Sequence, residues 1–330
     1  MPDDHSFLDV RDLKIHFPTD DGLVRSVDGL SFSLHRGRTL GIVGESGSGK
    51  SVTSLGILGL HNKRNARVSG EIWLDGTELV DAPSEAVRKM RGRRMAMIFQ
   101  DPLSAMHPYY TVGRQIIEAY RVHNDVSKAV ARKHAIDMLG RVGIPQPSRR
   151  VDDYPHQFSG GMRQRAMIAM AIACEPDLVI ADEPTTALDV MIQAQIIALL
   201  ARLREEKGIT LLAITHDLSV LAQLVDRVAV MYAGRIVEGA ASGPLLAAPK
   251  HPYSQALVGA FPIVGDPRSR GVPMGLPGDP PDPAHRPPGC AFHPRCPKRF
   301  EPCDVDDPRL LPAEHEWTAA CHAVHLGSVP

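Results

Sequence analysis

The chain has 330 residues, 43% of them hydrophobic and 23% charged, enough to bury a substantial core in one large domain or two moderate ones. Lys plus Arg (37) nearly balances Asp plus Glu (38), and the formal net charge of -1 excludes a uniformly basic nucleic-acid coat. Five cysteines in this length exclude a disulfide scaffold. No apolar run approaches the roughly 20 residues needed for a membrane-spanning helix. The start, Met1 to Asp12, carries Asp3, Asp4, Asp9 and Asp12 instead of a basic stretch before an apolar one, so a secretory signal is not expected. The expectation is a protein made and kept in the cytoplasm, with membrane attachment through a partner left open.

In chain order, β-branched apolar runs predict strands at 8–16, 24–34 and 39–43, followed by a helix at 50–60. Strands at 70–74 and 94–99 come next, then helices at 112–121, 127–142 and 161–173. A strand at 178–181, a helix at 190–207, a strand at 210–215 and a helix at 218–224 follow. The run 227–232 is expected to turn through Ala233 and Gly234 into 235–238, a hairpin signal. Short buried strands between helices predict an α/β core, with an antiparallel early part. Helices without strands over about 101–160 suggest a helical insertion. Of 28 prolines, 15 lie in the last 69 residues, beginning at Pro262 and including Pro267, Pro273 and Pro277. Proline has no N–H for a helix or a central strand, so 1–260 reads as the folded domain and 262–330 as a mostly irregular extension.

The run Gly44-Glu45-Ser46-Gly47-Ser48-Gly49-Lys50-Ser51 fits the phosphate-loop pattern GxxxxGK[ST] between a predicted strand and helix. Its glycines let backbone N–H groups curl around anionic oxygens, and the helix start adds positive potential. Lys50 is suited to the terminal phosphates and the Ser51 hydroxyl to magnesium. Leu178 to Ala181 runs into Asp182-Glu183, at a strand end where open α/β sheets carry their chemistry. Asp182 is expected on magnesium and Glu183 on the attacking water. Two neighbouring carboxylates before Pro184 could otherwise be an ordinary solvated turn.

Two further features make the pattern specific. Phe158-Ser159-Gly160-Gly161-Met162-Arg163-Gln164-Arg165 precedes an apolar helix, and the motifs occur in a fixed order. Over about 1–260 the chain resembles the ATP-binding subunits of ABC transporters, whose signature is [LF]SGGxxQR. The resemblance implies an ABC-type P-loop NTPase with an N-terminal antiparallel β subdomain, ATP and Mg2+ as ligands, and ATP hydrolysis coupled to solute translocation. It assigns Gln100 to the γ-phosphate and magnesium, Asp189 to the loop reached through Ala187 and Leu188, His216 to the γ-phosphate or the attacking water, and Phe17 to adenine stacking. It also implies two such domains facing head to tail. Ser159, Gly160, Gly161 and Gln164 of one would then act on the ATP held by the other. The helix start at Ser159 offers backbone N–H groups and a hydroxyl, as an anion site requires. The segment from Asp101 to Pro108 looks like the region that signals to a membrane subunit, although His107 stands where the peptide-importing branch often has Asn. A serine N-cap and a helix-capping histidine are the plainer readings of Ser159 and His216. The cluster Arg88, Lys89, Arg91, Arg93 and Arg94 reads as a solvated face, with no aromatic interleaving for single-stranded nucleic acid, and no nucleic-acid partner is expected.

Cys290, Cys296, Cys303 and Cys321 are separated by gaps of five, six and seventeen residues. None is the CxxC spacing of common zinc sites, and spacing alone permits zinc, an iron–sulfur cluster, two disulfides or no site. His293 and His322 adjoin the set as alternative zinc ligands, while a reducing cytoplasm argues against disulfides. The run from Gly289 to Pro297, with Cys303, Cys321 and His322, looks like the C-terminal region of ATPase subunits from oligopeptide and dipeptide importers. His251 to Leu257 is typical of the same branch and reads as the last helix of the folded domain, with packing as its only role. The resemblance implies a [4Fe-4S] cluster on Cys290, Cys296, Cys303 and Cys321, with zinc as the alternative. Cys174 is expected to be a buried core thiol.

Taken together, the resemblance implies an ATPase peripheral to the cytoplasmic face of the membrane. Its partners would be a second, non-identical ATPase, two transmembrane permeases and an extracytoplasmic peptide-binding protein. Nickel, glutathione or another small solute is the alternative cargo. A soluble ABC ATPase of DNA repair or translation is the alternative class, although such chains often carry a long coiled-coil arm or two motif sets. A sensor built on the cysteine tail is a third reading, which the complete hydrolytic set disfavours.

Overall fold

A computed structural model describes residues 6–186, 188–260, 276, 278–314 and 316–326. Ala187 lies outside the described residues, as does the predicted beginning of the extension with Pro262, Pro267, Pro273 and Pro277.

The chain begins with β1 (Ser6–Thr19), β2 (Gly22–His35) and β3 (Thr39–Val43), then α1 (Lys50–Ile57), β4 (Arg67–Leu74) and β5 (Thr77–Glu78). β1 pairs antiparallel with β4, Leu8 opposite Leu74 and Ile15 opposite Val68, in a sheet ordered β2-β1-β4-β5. Leu8, Leu13, Ile15, Leu30, Ile72 and Leu74 lie fully inside, and a register shift between Arg11 and Lys14 interrupts the alternation of β1. β3 is different. All five of its residues are buried, as an apolar run without alternation requires. Helix α1 stops at Ile57, short of the expected end, because Leu58 and Gly59 close its last turn.

The middle of the chain holds α2 (Ser84–Met90), β6 (Met95–Ile98), α3 (Pro102–Ala105), α4 (Val112–Arg121), α5 (Lys128–Arg141) and α6 (Pro147–Arg150). It continues with α7 (Gly160–Ala171), β7 (Leu178–Asp182), α8 (Val190–Lys207) and β8 (Thr210–Thr215). β6, β7 and β8 are parallel, with Met95 beside Leu178 and Leu178 beside Thr210. The helix boundaries follow from their caps. Thr111 Oγ1 accepts from Arg114 N–H at the start of α4, and Ser127 Oγ accepts from Val130 N–H at the start of α5. Gly208 ends α8 in the left-handed conformation, at φ 63°.

The end of the chain adds α9 (Leu218–Leu224), β9 (Arg227–Tyr232), β10 (Arg235–Ala241), α10 (Ser242–Ala247), α11 (Pro252–Gly259), β11 (Leu311–Glu314), β12 (Trp317–Ala319) and α12 (His322–Leu326). β9 runs parallel to β3, and β10 turns back against β9 as the hairpin signal predicts. The extension is less irregular than expected. β12 pairs antiparallel with β10, and β11 pairs with β12, so the tail adds two strands to the sheet. Pro312 hid this from the sequence, and the edge strand β11 is where a sheet tolerates proline.

Chain contacts divide into two compact units. One comprises residues up to 34, 39–81 and 215 onward; the other comprises 35–38 and 82–214. In the second unit the basic cluster partly forms α2. Arg88 is paired with Glu85, and Arg94 Nε donates to Asp177 at 2.6 Å. Cys174 is half-buried just beyond α7, and its thiol faces the carbonyl of Ala119 at 3.4 Å. The core position expected for it is therefore corrected.

Candidate functional site

The first unit carries the phosphate loop, from Gly44 to Ser51, between the buried strand β3 and helix α1. Gly49 has φ 102°, and a Cβ there would sit 2.2 Å from the Ser26 carbonyl oxygen, so the loop passes too close to β2 for any side chain. Lys50 is only 5% exposed, and its Nζ donates to the carbonyls of Gly44 at 2.8 Å and Glu45 at 2.9 Å. This holds the ammonium within the loop that carries it. Ser48 N–H donates to Glu45 O, and Gly234 N–H donates to Ser48 O, which ties the loop to the β9–β10 turn. The Ser51 hydroxyl lies in the first turn of α1, and Ser46 and Gly47 form the exposed tip of the loop. Phe17, near the end of β1, is half-buried and makes an edge contact with His61, with ring centroids 5.6 Å apart. His216 is exposed immediately after buried Thr215, whose Oγ1 accepts from Asp217 N–H at the start of α9.

The second unit carries the acidic strand end. Asp182, the last residue of β7, is 4% exposed. Glu183 follows with φ 47°, a left-handed conformation that a non-glycine residue adopts at a cost. Its N–H donates to Ile214 O at 2.7 Å, which fixes the backbone. The carboxylate Oε2 accepts from Gln100 Nε2 at 2.8 Å and from Thr186 Oγ1 at 2.9 Å. Two residues singled out separately by the sequence, Gln100 and Glu183, are therefore in direct contact. Asp189 Oδ1 accepts from Ile192 N–H and caps α8.

Ser159 caps α7 through Met162 N–H, and both Ser159 and Gly160 are exposed, leaving this helix start open. Ile192 packs against Gly161, where a Cβ would approach it to 2.8 Å. Gln164 is 2% exposed, and its Nε2 has no hydrogen-bond partner among the described residues. In this arrangement Gln164 faces the inside of its own unit.

Cys290, Cys296 and Cys303 are half-buried and Cys321 is buried. The Cys290 thiol is raised to about 11, chiefly by burial, with a backbone hydrogen bond at Phe292 acting against it and Cys321, Cys303 and Cys296 adding to it. Burial also raises Cys296 and Cys321. Cys290 N–H donates to Cys303 O at 2.9 Å. Four thiols in one neighbourhood are a suitable donor type for a soft metal centre. Among the described residues, however, no group of three or more His, Cys, Asp or Glu is arranged to hold a metal ion. His293 Nδ1 is engaged with Cys290 O, and His322 Nε2 with Asp306 O.

Three residues at this site carried no motif. Tyr253, which sequence reasoning treated as packing alone, reaches the phosphate loop: its Oη accepts from Glu45 N–H at 2.9 Å. Burial raises the Tyr253 hydroxyl above its ordinary range, so it stays protonated. Arg295 grips the Glu45 carboxylate with both terminal nitrogens, at 2.7 and 3.0 Å. Glu238 is wholly buried in β10 and accepts from Lys250 N–H, His251 N–H and Trp317 Nε1, so it joins the extension to the approach to α11. Tyr253 and Arg295 lie within 251–257 and 289–297, which pointed to a family and not to these contacts, and Glu238 was only the last residue of the expected strand 235–238.

Residues 27–186 match the ABC transporter family model, and residues 237–303 match that of the oligopeptide/dipeptide transporter C-terminal region. A Sinorhizobium fredii protein described as a probable peptide ABC transporter ATP-binding protein, y4tR, is 49% identical over 318 residues, covering 95% of this chain and 94% of its own. The dipeptide transport ATP-binding protein DppD of Escherichia coli K12 is 46% identical over 317 residues, 96% of each chain. Among solved structures, the ATP-binding cassette MJ0796, as a dimer in a post-hydrolysis state bound to ADP and Pi, superposes with a TM-score of 0.65 at 25% identity. It covers 71% of this chain and 98% of that one. CbiO1 of Clostridium perfringens, part of an ABC transporter complex, gives 0.62 at 27% identity, covering 74% and 92%. On this likeness of sequence and fold, the chain belongs to the ATP-binding subunits of the peptide ABC transporter family.

Proposed function

We propose that this chain hydrolyses ATP to power the import of oligopeptides or dipeptides through a membrane complex. The observation that carries the reading is the complete phosphate loop on the β3–α1 junction, in a chain whose residues 237–303 match the oligopeptide/dipeptide transporter C-terminal region. Residues 44–51 take the phosphates of ATP, Lys50 offsets their charge, and Phe17 stacks on adenine. Ser51 and Asp182 are each assigned to Mg2+, with Gln100 as the residue that senses it. When bound, the ion offsets phosphate charge. Glu183 takes a proton from the attacking water, His216 orients that water or the γ-phosphate, and the bond to the β-phosphate breaks to give ADP and phosphate. The hydrogen bonds from Gln100 and Thr186 hold the Glu183 carboxylate in one orientation, as a general base needs.

The open helix start at Ser159, Gly160 and Gly161 is assigned to the nucleotide of a second ATPase, which we take to be non-identical. The capping loop at Asp189 lies at that interface. Gln164, which faces inward, acts on that nucleotide only through the helix start it supports. Two permeases and an extracytoplasmic peptide-binding protein complete the complex, and the chain sits peripherally at the cytoplasmic face. Among the described residues no helix is long and apolar enough to cross a membrane. We assign the path for peptide to the permeases. We also assign a [4Fe-4S] cluster, structural or regulatory in role, to Cys290, Cys296, Cys303 and Cys321. Its support is the contact of Cys290 N–H with Cys303 O and the burial of the thiols; no group among the described residues is arranged to hold a metal ion, so binding would have to draw the four thiols together and displace their protons.

Anaerobic native purification from membranes tests both assignments. Mass spectrometry is expected to find two permeases and a second ATPase, and metal analysis to find about four iron atoms per chain, the composition of the cluster. Recovery of a monomer holding DNA, without permeases, would overturn the transport reading. Stoichiometric zinc, or no metal, would overturn the cluster.

A further inference from the structure

The carboxylate of Glu45 is the one acidic side chain of the phosphate loop, set in a segment built to receive polyphosphate. An acidic group there opposes the ligand unless a cation offsets it. Lys50 directs its ammonium to the backbone carbonyls of Gly44 and Glu45. The offset comes from about 250 residues further along the chain. Arg295, whose side chain is 6% exposed, closes a planar two-point pair on Glu45 Oε1 and Oε2, and its Nη1 also lies 3.3 Å from Tyr232 Oη. The backbone on both sides is held. Glu45 N–H is fixed by Tyr253 Oη, and Arg295 ends a short 3-10 turn in which Cys290 O accepts from His293 N–H and Phe292 O from Arg295 N–H. The rings of Tyr232, Tyr253 and Phe292 pack together beneath the pair, with centroids 4.5–5.4 Å apart. The pair is thus preorganised, and the cysteine-bearing segment of the extension is built against the phosphate loop.

We propose that Arg295 is a positioning residue for nucleotide binding: it neutralises and orients Glu45, so that the folded extension sets the affinity of the phosphate loop for ATP. The proposal rests on the reading that residues 44–51 bind ATP. Removing the guanidinium leaves a part-buried carboxylate unpaired beside the phosphates, whereas removing both charges does not.

The test is MgATP affinity by titration calorimetry, on the full-length chain carrying Glu183→Gln to suppress turnover. Arg295→Ala is expected to weaken binding by about tenfold, the scale of one uncompensated charge near a polyanion. Adding Glu45→Gln to Arg295→Ala is expected to restore affinity to within about threefold, and Arg295→Lys to lose less than Arg295→Ala because it keeps the charge without the fork. A purely structural anchor would not show rescue by a second substitution that leaves the pair broken. Affinity unchanged in Arg295→Ala, or weakened equally with and without Glu45→Gln, overturns the proposal. In the same assay Lys50→Ala should abolish binding. Undiminished affinity there overturns the reading of residues 44–51 themselves, an outcome distinct from failure at Arg295.

Discussion

Glu238→Ala probes how firmly the extension is tied to the domain. The carboxylate is fully buried and receives three donors: Lys250 N–H at 2.7 Å, His251 N–H at 3.1 Å and Trp317 Nε1 at 2.8 Å. A group that only accepts suits a place where only donors converge. Alanine would strand the buried N–H of His251, at about 1–3 kcal/mol, and weaken two half-exposed donors that water can partly recover, at about 0.5–1 kcal/mol each. The loss is therefore about 2–5 kcal/mol. Glu238→Gln keeps one acceptor but turns an amide group toward donors, so it should fall between Glu238→Ala and the parent. The chain has two tryptophans, and in a Trp73→Phe background the emission of Trp317 reports this locus alone. Urea unfolding followed by that emission should give the stated loss and a red-shifted native baseline in Glu238→Ala, as the indole leaves its partner. A loss under about 1 kcal/mol with an unchanged emission maximum would refute the reasoning, because unsatisfied buried donors cannot be that cheap.

Glu183→Gln should leave ATP binding intact and lower turnover at least about 100-fold, the usual contribution of a positioned base, as measured by single-turnover kinetics. Gly49→Ala should remove ATP binding measured by calorimetry, since the new methyl collides with the Ser26 carbonyl at a backbone angle alanine resists. His251 is buried, and burial lowers its pKa from 6.5 to about 4, with the Ala320 backbone acting in the opposite sense. The unfolded chain then binds a proton that the folded chain refuses, so stability is full above pH 6.5 and falls as pH drops to 4, by roughly 3 kcal/mol from this residue. Urea unfolding at a series of pH values should show that slope in the parent and a flatter one in His251→Gln.

The site divides into what spacing encodes and what only folding creates. Residues 44–51 were legible because a phosphate cradle needs glycine, lysine and serine at fixed offsets in one local segment. Asp182 and Glu183 were legible because an apolar run gives way to two carboxylates, although the strand runs one residue further than 178–181 and carries buried Asp182 as its last residue. The strands 39–43, 210–215 and 227–232 were legible to the residue, since fully buried strands are uninterrupted apolar runs with abrupt polar ends. The Glu45–Arg295 pair was not legible, because nothing local distinguishes a guanidinium that reaches across 250 positions from one in water. Strands β11 and β12 were missed for a related reason. Proline content signals irregular chain, and it is the pairing of β12 with β10 and of β11 with β12 that makes strands of 311–314 and 317–319. Tyr253 was read as packing, which its ring satisfies, while its hydroxyl makes the contact that matters.

The most direct measurement is the steady-state ATPase rate of the reconstituted complex, with and without its peptide-loaded binding protein, set beside the isolated chain over a wide dilution series. A rate that rises several-fold with peptide, collapses in Glu183→Gln and vanishes on dilution of the isolated chain is the predicted result. An isolated chain that hydrolyses ATP at the full rate at every dilution, indifferent to permeases, peptide and a disrupted Ser159 helix start, would contradict it.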